Sequence, residues 1–457
     1  MADEGKAPGG SRIGRTFKLA KLATSTSAHL AKGMARRAVG AEPGDDRLDR
    51  HRGIAHNVVD ALGSMKGLAM KAGQILSYVD EWMPDDVRPA YRDVLRKLQA
   101  EAPKVPLADM LNVFIDEVGE PPDEVFAEFH DEPIAAASIG QVYRAVLKSG
   151  EEVAVKIQYP GIEKAIRADL KNLSLLENVL RASTLGRLDV KQSLQDIASK
   201  IEEELDYTLE ATNQSRFAAL YADHPQIVIP KIYEGYSHRR VLTSELLHGR
   251  TYKQVQEEAS QDERNLYGRA LYTFVFKSFH SHGLFNADPH PGNYVFLDAG
   301  RVGFLDFGCV QAFPLNVPHA FQRIIGLHWA GDEAAVREAL PDSLGYPGKP
   351  SEEVKDFIYD YVTHLWEPIR EDRPFRYSPE FTKGIMQRTR GGVTLGAKVA
   401  LAEGYPDTTT RGLALLNRLQ LGFMSILAGI EAEWNWHRLI QEFFIELEEG
   451  SESPPQD

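Results

Sequence analysis

The stretch FNADPHPGNYVFLDAGRVGFLDFG, Phe285–Gly308, leaves a chain few ways to fold around it. Asp288 is followed five residues on by Asn293, and Asp306 opens an Asp-Phe-Gly triplet. Between them Tyr294–Leu297 reads as a short strand, Asp298-Ala299-Gly300 as a turn and Val302–Leu305 as the return strand. Such a hairpin holds Asn293 and Asp306 side by side at its open end. An amide oxygen and a carboxylate at that end suit a hard cation such as Mg²⁺, which takes oxygen ligands. Asp288 falls close enough to orient a hydroxyl or a water. D-F-G alone is a common triplet, and Asp-Pro-His-Pro-Gly-Asn alone is a turn. The two together, at hairpin spacing, give the stretch its weight.

A 43% hydrophobic and 26% charged composition is that of an ordinary globular protein, and 457 residues leave room for about three domains. A net charge of -14 argues against nucleic acid as the main partner. The single cysteine, Cys309, excludes an intramolecular disulfide and fits a reducing compartment. The most apolar segment, Leu413–Ile430, is interrupted by Asn417, Arg418 and Gln420, so it reads as a buried helix and not a membrane span. The start of the chain lacks the apolar core of a secretory signal. These features place the protein in the cytoplasm, at most peripheral at the inner face of a membrane.

Residues 1–50 read as a flexible basic arm. Ser11–Gly40 holds seven Lys or Arg and no acid, with Ile13, Phe17 and Ala20 at helical spacing. That pattern fits either an amphipathic helix on an anionic membrane surface or a solvated tail. Residues 51–125 read as helices. In the segment His56–Tyr78, Gly63, Gly67 and Gly73 each cost a helix about 1 kcal/mol against Ala, which suggests close backbone approach. Lys71 and Gln74 share one face of it.

From Phe126 the pattern turns to strands. Ile134–Gln141, containing Ala135, Ala136, Ala137 and Ser138, reads as a small-residue loop, followed by strands Val142–Leu147 and Glu152–Gln158. A loop of small residues lets backbone N–H groups approach phosphates. Lys156, in Val153-Ala154-Val155-Lys156, can then reach the first phosphates of a nucleotide. A long helical region follows, to about Tyr221. Within it Glu203, Glu204, Asp206 and Glu210 are candidate partners for Lys156. Ile227–Ile229, Ile232–Tyr236 and Val241–Leu247 read as strands. Gln261–His282 is a helix with acids in its first turn and Gly283 past its end. Beyond Gly308 the chain reads as helical to about Leu447, with breaks near residues 341–350 and 372–379. Residues 448–457 form an acidic tail.

Together these motifs resemble those of the UbiB/AarF atypical kinases, a branch of the protein-kinase-like superfamily, over about residues 50–335. Lys71-Ala72-Gly73-Gln74 is similar to the family's K-x-G-Q. Ala135–Ser138 is similar to the alanine-rich loop that replaces a glycine-rich one, and Glu204-Leu205-Asp206 to its E-x-D. Asn286–Asn293 is similar to its catalytic loop. The resemblance implies an α+β, bilobal kinase-like fold: a helical K-x-G-Q extension (51–125), an N-lobe with a helical insertion (126–249) and a mostly helical C-lobe (250–447). It implies that Lys156 binds nucleotide phosphates and pairs with a carboxylate, with Glu210 favoured and Glu204 the competitor. Asn293 and Asp306 would hold Mg²⁺, and Asp288 would be the catalytic base. The Glu245–Leu247 backbone would meet adenine, and Lys71 and Gln74 would pack toward Glu204 and Asp206.

The resemblance implies an ATP- or ADP-binding, Mg²⁺-dependent ATPase or phosphotransferase that supports isoprenoid quinone biosynthesis, with a quinone-precursor lipid as a partner. Two departures qualify it. No A-P-E follows the D-F-G, so the platform that docks a peptide is missing. Alanines leave less room at the phosphates than glycines and should restrain phosphoryl transfer. A trans-acting protein kinase and a nucleotide-sensing lipid-binding scaffold stay open beside the ATPase. The oligomeric state is not legible.

Overall fold

In the computed structural model, the described residues are 105–170, 198–199, 201–344, 346, 349–388 and 422–444. The basic arm, the K-x-G-Q segment with Lys71 and Gln74, and the acidic tail lie outside them. The chain divides into two compact units. Among the described residues, the first holds those up to Ala211 together with Ile232–Leu246. The second holds Thr212–Lys231 and those from Leu247 on.

The first unit is built on a four-stranded antiparallel sheet, in the order β1 (Phe126–Ala137), β2 (Gly140–Leu147), β3 (Glu152–Gln158), β4 (Val241–Glu245). In β3 the alternation holds from Glu152 to Ile157. Val153, Val155 and Ile157 are fully buried on one face, which puts Ala154 and Lys156 on the other. Lys156 lies opposite Val142 on one side and Leu242 on the other. Helix α1 (Leu107–Val118) closes the buried face with Met110, Val113 and Phe114, and ends at Gly119 in the left-handed region, φ 92°. Phe114 and Phe126 meet there with ring centroids 5.7 Å apart. Each such ring contributes about 2–3 kcal/mol by leaving water. The sheet's core thus recruits a helix from the segment read as a separate extension.

Two strand expectations change here. The segment read as a small-residue loop is a hairpin: Ala135, Ala136 and Ala137 pair with Val142, Gln141 and Gly140, leaving a two-residue turn at Ser138-Ile139. A Cβ on Gly140 would stand 2.2 Å from the Ile157 carbonyl oxygen, so only glycine lets β2 lie this close to β3. Ile232–Tyr236 is not a strand. Ile232 makes one bridge to Ser244, and Glu234–Tyr236 turns as a 3₁₀ helix. β4 also stops at Glu245, two residues short of Leu247.

The second unit is organised by the long helix Gln261–His282, with the expected bounds. Ser260 and Glu263 form a reciprocal capping box, and Gly283 ends the helix at φ 61°. Tyr267, Ala270, Leu271, Phe274, Val275 and Phe279 are all buried. The hairpin of Tyr294–Phe296 and Val302–Phe304 packs against it, with Tyr294 opposite Phe304. Ile227–Val228 adds a parallel strand at its edge. The chain after Gly308 is not purely helical: Val310–Ala312 pairs with Leu284–Asn286 before helix Asn316–Trp329 begins. Among the described residues, no helix is long and apolar enough to cross a membrane. Of Leu413–Ile430, the described part from Gly422 on is helical and largely buried.

Two glycines in this unit respond to the same substitution in opposite ways. A Cβ on Gly268, inside Gln261–His282, would stand 2.3 Å from the Ala432 Cβ, whereas one on Gly326 would meet nothing within 4 Å. Gly326→Ala therefore stabilises the unit by about 1 kcal/mol through helix propensity. Gly268→Ala destabilises it by about 1–3 kcal/mol, because overpacking outweighs the same gain. Thermal unfolding of the two variants checks the signs. A rise in melting temperature for Gly268→Ala would contradict the close helix packing.

Candidate active site

In the first unit the site is a buried ion pair. Lys156 Nζ donates to both Glu210 carboxylate oxygens, at 2.8 and 2.9 Å. The lysine side chain is 16% exposed and the glutamate 5%. Nζ also sits 4.8 Å from the Tyr207 ring centroid, a cation–π contact that adds to its stabilisation. A buried charge this poorly hydrated must be paired, and the pair must be held in place.

The holding falls to the start of helix Tyr207–Leu220. Asp206 caps it, accepting from the Thr208 N–H at 3.0 Å and the Thr208 hydroxyl at 2.6 Å. The Tyr207 N–H donates to the Arg239 carbonyl at 2.9 Å. Gln158, two residues beyond Lys156 and 1% exposed, donates its side-chain amide to the Leu205 carbonyl at 3.0 Å. The Arg239 guanidinium binds Glu163 at 2.9 Å and lies 3.9 Å from Asp206. That contact keeps the Glu163 carboxyl below its usual pKa. Glu204 is half-buried in the turn before the helix, and the residue facing Lys156 is Glu210. Asp206 fixes the helix on which Glu210 stands. Sequence reading did not single out Gln158 or Arg239; Gln158 acts on a distant backbone carbonyl and Arg239 offers its own carbonyl and a guanidinium to distant groups, and neither leaves a periodic trace.

Ala135 and Ala136 are exposed and Ala137 is half-buried, all in extended backbone on β1. Ser138 is exposed in the turn. Any restraint these alanines exert comes from their methyl groups, since extended backbone makes no demand for glycine's conformational freedom. Glu245 ends β4, and the Leu246 N–H donates to the Glu152 carbonyl at 3.1 Å.

In the second unit the hairpin brings its expected residues together. The Leu305 N–H donates to the Asn293 carbonyl at 3.0 Å, which sets Asn293 and Asp306 at the open end. Asn293 donates its side-chain amide to the Asp288 carboxylate at 3.2 Å and to the Asp288 carbonyl at 3.1 Å. Its nitrogen is thereby committed, and Oδ1 is the atom left for a cation. One Asp306 carboxylate oxygen accepts the Gly308 N–H at 2.9 Å. Asn286, which sequence reading placed in the motif without a role, donates to the Asp306 carbonyl at 2.7 Å. That bond ties the two ends of the motif. Phe307 is fully buried between Phe217 and Phe274 and anchors the triplet. Leu247 packs over Gly303, where a Cβ would stand 2.5 Å from the leucine.

Among the described residues no group of three or more His, Cys, Asp or Glu stands ready to hold a metal. Asn293 Oδ1 and the Asp306 carboxylate could offer two oxygen ligands. That number fits Mg²⁺, which keeps several waters and takes its remaining ligands from substrate phosphates.

The family model described as ABC1 atypical kinase-like domain matches residues 97–340. The chain is 28% identical to "Atypical kinase COQ8, mitochondrial" of Saccharomyces cerevisiae over 449 residues, 95% of this chain and 85% of that protein. It is 32% identical to "Atypical kinase COQ8B, mitochondrial" of Rattus norvegicus over 316 residues, 69% of this chain and 59% of the rat protein. It is 38% identical to an uncharacterised protein of Synechocystis over 245 residues, 53% of this chain and 35% of that protein. The chain thus spans only part of the length of the last two. Among solved structures, the complex of Rv3197 with erythromycin from Mycobacterium tuberculosis is similar with a TM-score of 0.59 and 29% identity, covering 81% of this chain and 90% of that one.

The ion pair makes a thermodynamic prediction. Lys156→Met leaves Glu210 buried without its counter-ion and costs about 3–5 kcal/mol, while adding Glu210→Leu recovers most of that loss. A double-mutant cycle by denaturant unfolding measures the coupling. If the two losses simply add, the pair is not a coupled unit.

Proposed function

The chain belongs to the ABC1 atypical kinase-like family, and on that premise we propose that it binds Mg·ATP or Mg·ADP and hydrolyses ATP or transfers its terminal phosphate. The observation that supports this most directly is the joint held by Asn293, Asp288 and Asp306 at the open end of one hairpin. Lys156, fixed by Glu210, binds the α- and β-phosphates as a point charge. The Ala135–Ser138 hairpin lies over the phosphates, and the Glu245–Leu247 backbone receives the adenine. Asn293 Oδ1 and Asp306 hold Mg²⁺, which neutralises charge on the phosphate oxygens when bound. Asp288 accepts the proton of the attacking water or hydroxyl, while the bond between the γ-phosphorus and the bridging oxygen breaks and ADP leaves. The amide of Asn293 donates to Asp288 and keeps its carboxylate aimed.

The family resemblance supports a role in isoprenoid quinone biosynthesis, with a quinone-precursor lipid as partner and at most peripheral membrane contact through the basic residues of the 1–50 arm. Lys71 and Gln74 of the 51–125 extension are proposed to pack toward Glu204 and Asp206. Among the described residues, the short strand Val310–Ala312 and helix Asn316–Trp329 follow the D-F-G directly. A peptide-docking platform has no counterpart in that stretch, which favours water or a small acceptor over a protein.

Asp306→Asn removes the charge at the cation and leaves the fold intact, since Gly308 can still donate to an amide oxygen. Mg²⁺-dependent ATP binding by calorimetry should disappear, and turnover should fall on the order of a hundredfold or more. ATP turnover with labelled γ-phosphate, with and without quinone-precursor lipid, tests the reaction itself. Nucleotide binding without turnover would make the protein a sensor. Label transferred to protein would make it a protein kinase.

A further inference from the structure

The second unit holds a cavity of about 340 Å³ that takes no part in the site above. Its floor is one face of the long helix, where Arg269, Thr273 and Lys277 recur at every fourth position. One wall is the segment His224–Gln226, and the other is Leu439, Glu442 and Phe443 from the helical end of the described chain.

Three of the polar side chains facing this space, Arg269, Thr273 and Lys277, make no ion pair or hydrogen bond among the described residues, while the Gln226 amide donates to the Gly300 carbonyl. Arg269 and Lys277 are both half-buried, and neither makes an ion pair among the described residues. Arg269 lies over the Trp434 ring, 5.2 Å from its centroid, which orients the guanidinium without neutralising it. Thr273 is only 5% exposed, lines the cavity, and makes no side-chain hydrogen bond among the described residues. His224 Nδ1 accepts the N–H groups of Gln226 and Ile227, each at 3.2 Å. Its proton therefore sits on Nε2, a further donor. Burial first, then Lys277 and Arg269, hold this imidazole below its ordinary pKa and so neutral. Half-desolvated cations without a counter-ion are costly unless an anion joins them. The opposite wall is apolar at Leu439 and Phe443, and Glu442 is the one carboxylate in the lining.

We propose that this cavity is a second binding site, for a small organic phosphate, which sets its phosphate against Arg269, Lys277 and Thr273 and its apolar body against Leu439 and Phe443. Phosphate matches the chemistry better than a simple carboxylate. It offers acceptors in several directions at once, and the donors come from a helix face about 12 Å long and from a separate segment.

Calorimetric titration of the full chain with phenyl phosphate and with inorganic phosphate, in EDTA to silence Mg²⁺-dependent binding, tests the site. Phenyl phosphate should bind saturably and more tightly than inorganic phosphate. Lys277→Gln and Arg269→Gln should each weaken it about tenfold, the worth of one hydrogen bond to a charged group. Lys277 has no packing partner like Trp434, so its variant keeps the test valid if Arg269→Gln unfolds. Glu442→Gln should tighten binding, by removing the one opposing charge. Asp306→Asn should leave phenyl phosphate binding unchanged, which separates this cavity from the nucleotide site. The proposal is overturned by absence of saturable binding to the parent chain, by wild-type affinity in folded Lys277→Gln, by no gain in Glu442→Gln, or by loss of binding in Asp306→Asn.

Discussion

A lysine and a glutamate buried together set the terms for the first unit. Neither Lys156 nor Glu210 can be left alone in so little water, and their attraction repays the lost hydration only at close, well-aligned range. The sheet fixes one end. β3 is flanked on both sides by antiparallel partners, so Lys156 has no freedom in height or face. The other end rests on a helix start, normally a frayed and movable feature. Here the start is secured by Asp206 as a cap, by the Arg239 carbonyl, and by Gln158 reaching from the strand that carries Lys156. Gln158 measures the distance between strand and helix from one residue pair along, so the spacing of the ion pair is enforced twice.

The second unit solves a similar problem with less polar means. Strands of three residues bury too little to hold themselves. The hairpin that sets Asn293 beside Asp306 survives because Phe304 stacks on Phe274, centroids 3.7 Å apart, and Phe296 meets Tyr267 edge-on. Its turn carries Ala299 and Gly300 at positive φ, 59° and 70°, and Leu266 of the same helix presses on Gly300. The polar end of the hairpin is thus positioned by packing at its far end. That is why one helix, capped at both termini, organises the unit.

What the sequence made legible follows from the range of the forces involved. The hairpin and Gln261–His282 were readable because their signals are local: a turn triplet, acids in a first turn, a terminal glycine. Glu210 could be favoured but not fixed, since the helical phase of residues 201–213 depends on where Asp206 interrupts the helix. The alanine stretch looked like a loop because Ala, Ser and Gly have weak strand preference; its pairing comes from Val142 and Gln141 across the hairpin. Ile232–Tyr236 has the residues of a strand, but pairing ends with the Ile232 bridge and the Tyr233 N–H to the Thr243 carbonyl, after which Glu234–Tyr236 turns as a 3₁₀ helix. Val310–Ala312 is too short to show a period, and its pairing is set by Leu284–Asn286 after the turn at Gly283. Gln158 and Asn286 act through hydrogen bonds to distant carbonyls, and Arg239 through its own carbonyl and an ion pair with Glu163, which no pattern announces.

Net charge was the bluntest of the sequence arguments. With 66 acids against 52 bases, the chain repels polyanions at long range, and that reading argues against nucleic acid as the main partner. It does not bear on a cavity. Solution screens exposed charges beyond about 8 Å, so a partly enclosed space answers to the few groups that line it. Along one face of the long helix Arg269 and Lys277 make no ion pair among the described residues, with Glu442 the one carboxylate beside them in the lining, while Glu263 of its first turn serves the cap and Arg250. The same helix is therefore negative where its N-terminal dipole calls for it and positive in its middle, where the dipole is silent. A positive stretch that neither helix stability nor an ion pair accounts for, set beside an apolar wall, is what the proposed anion site rests on.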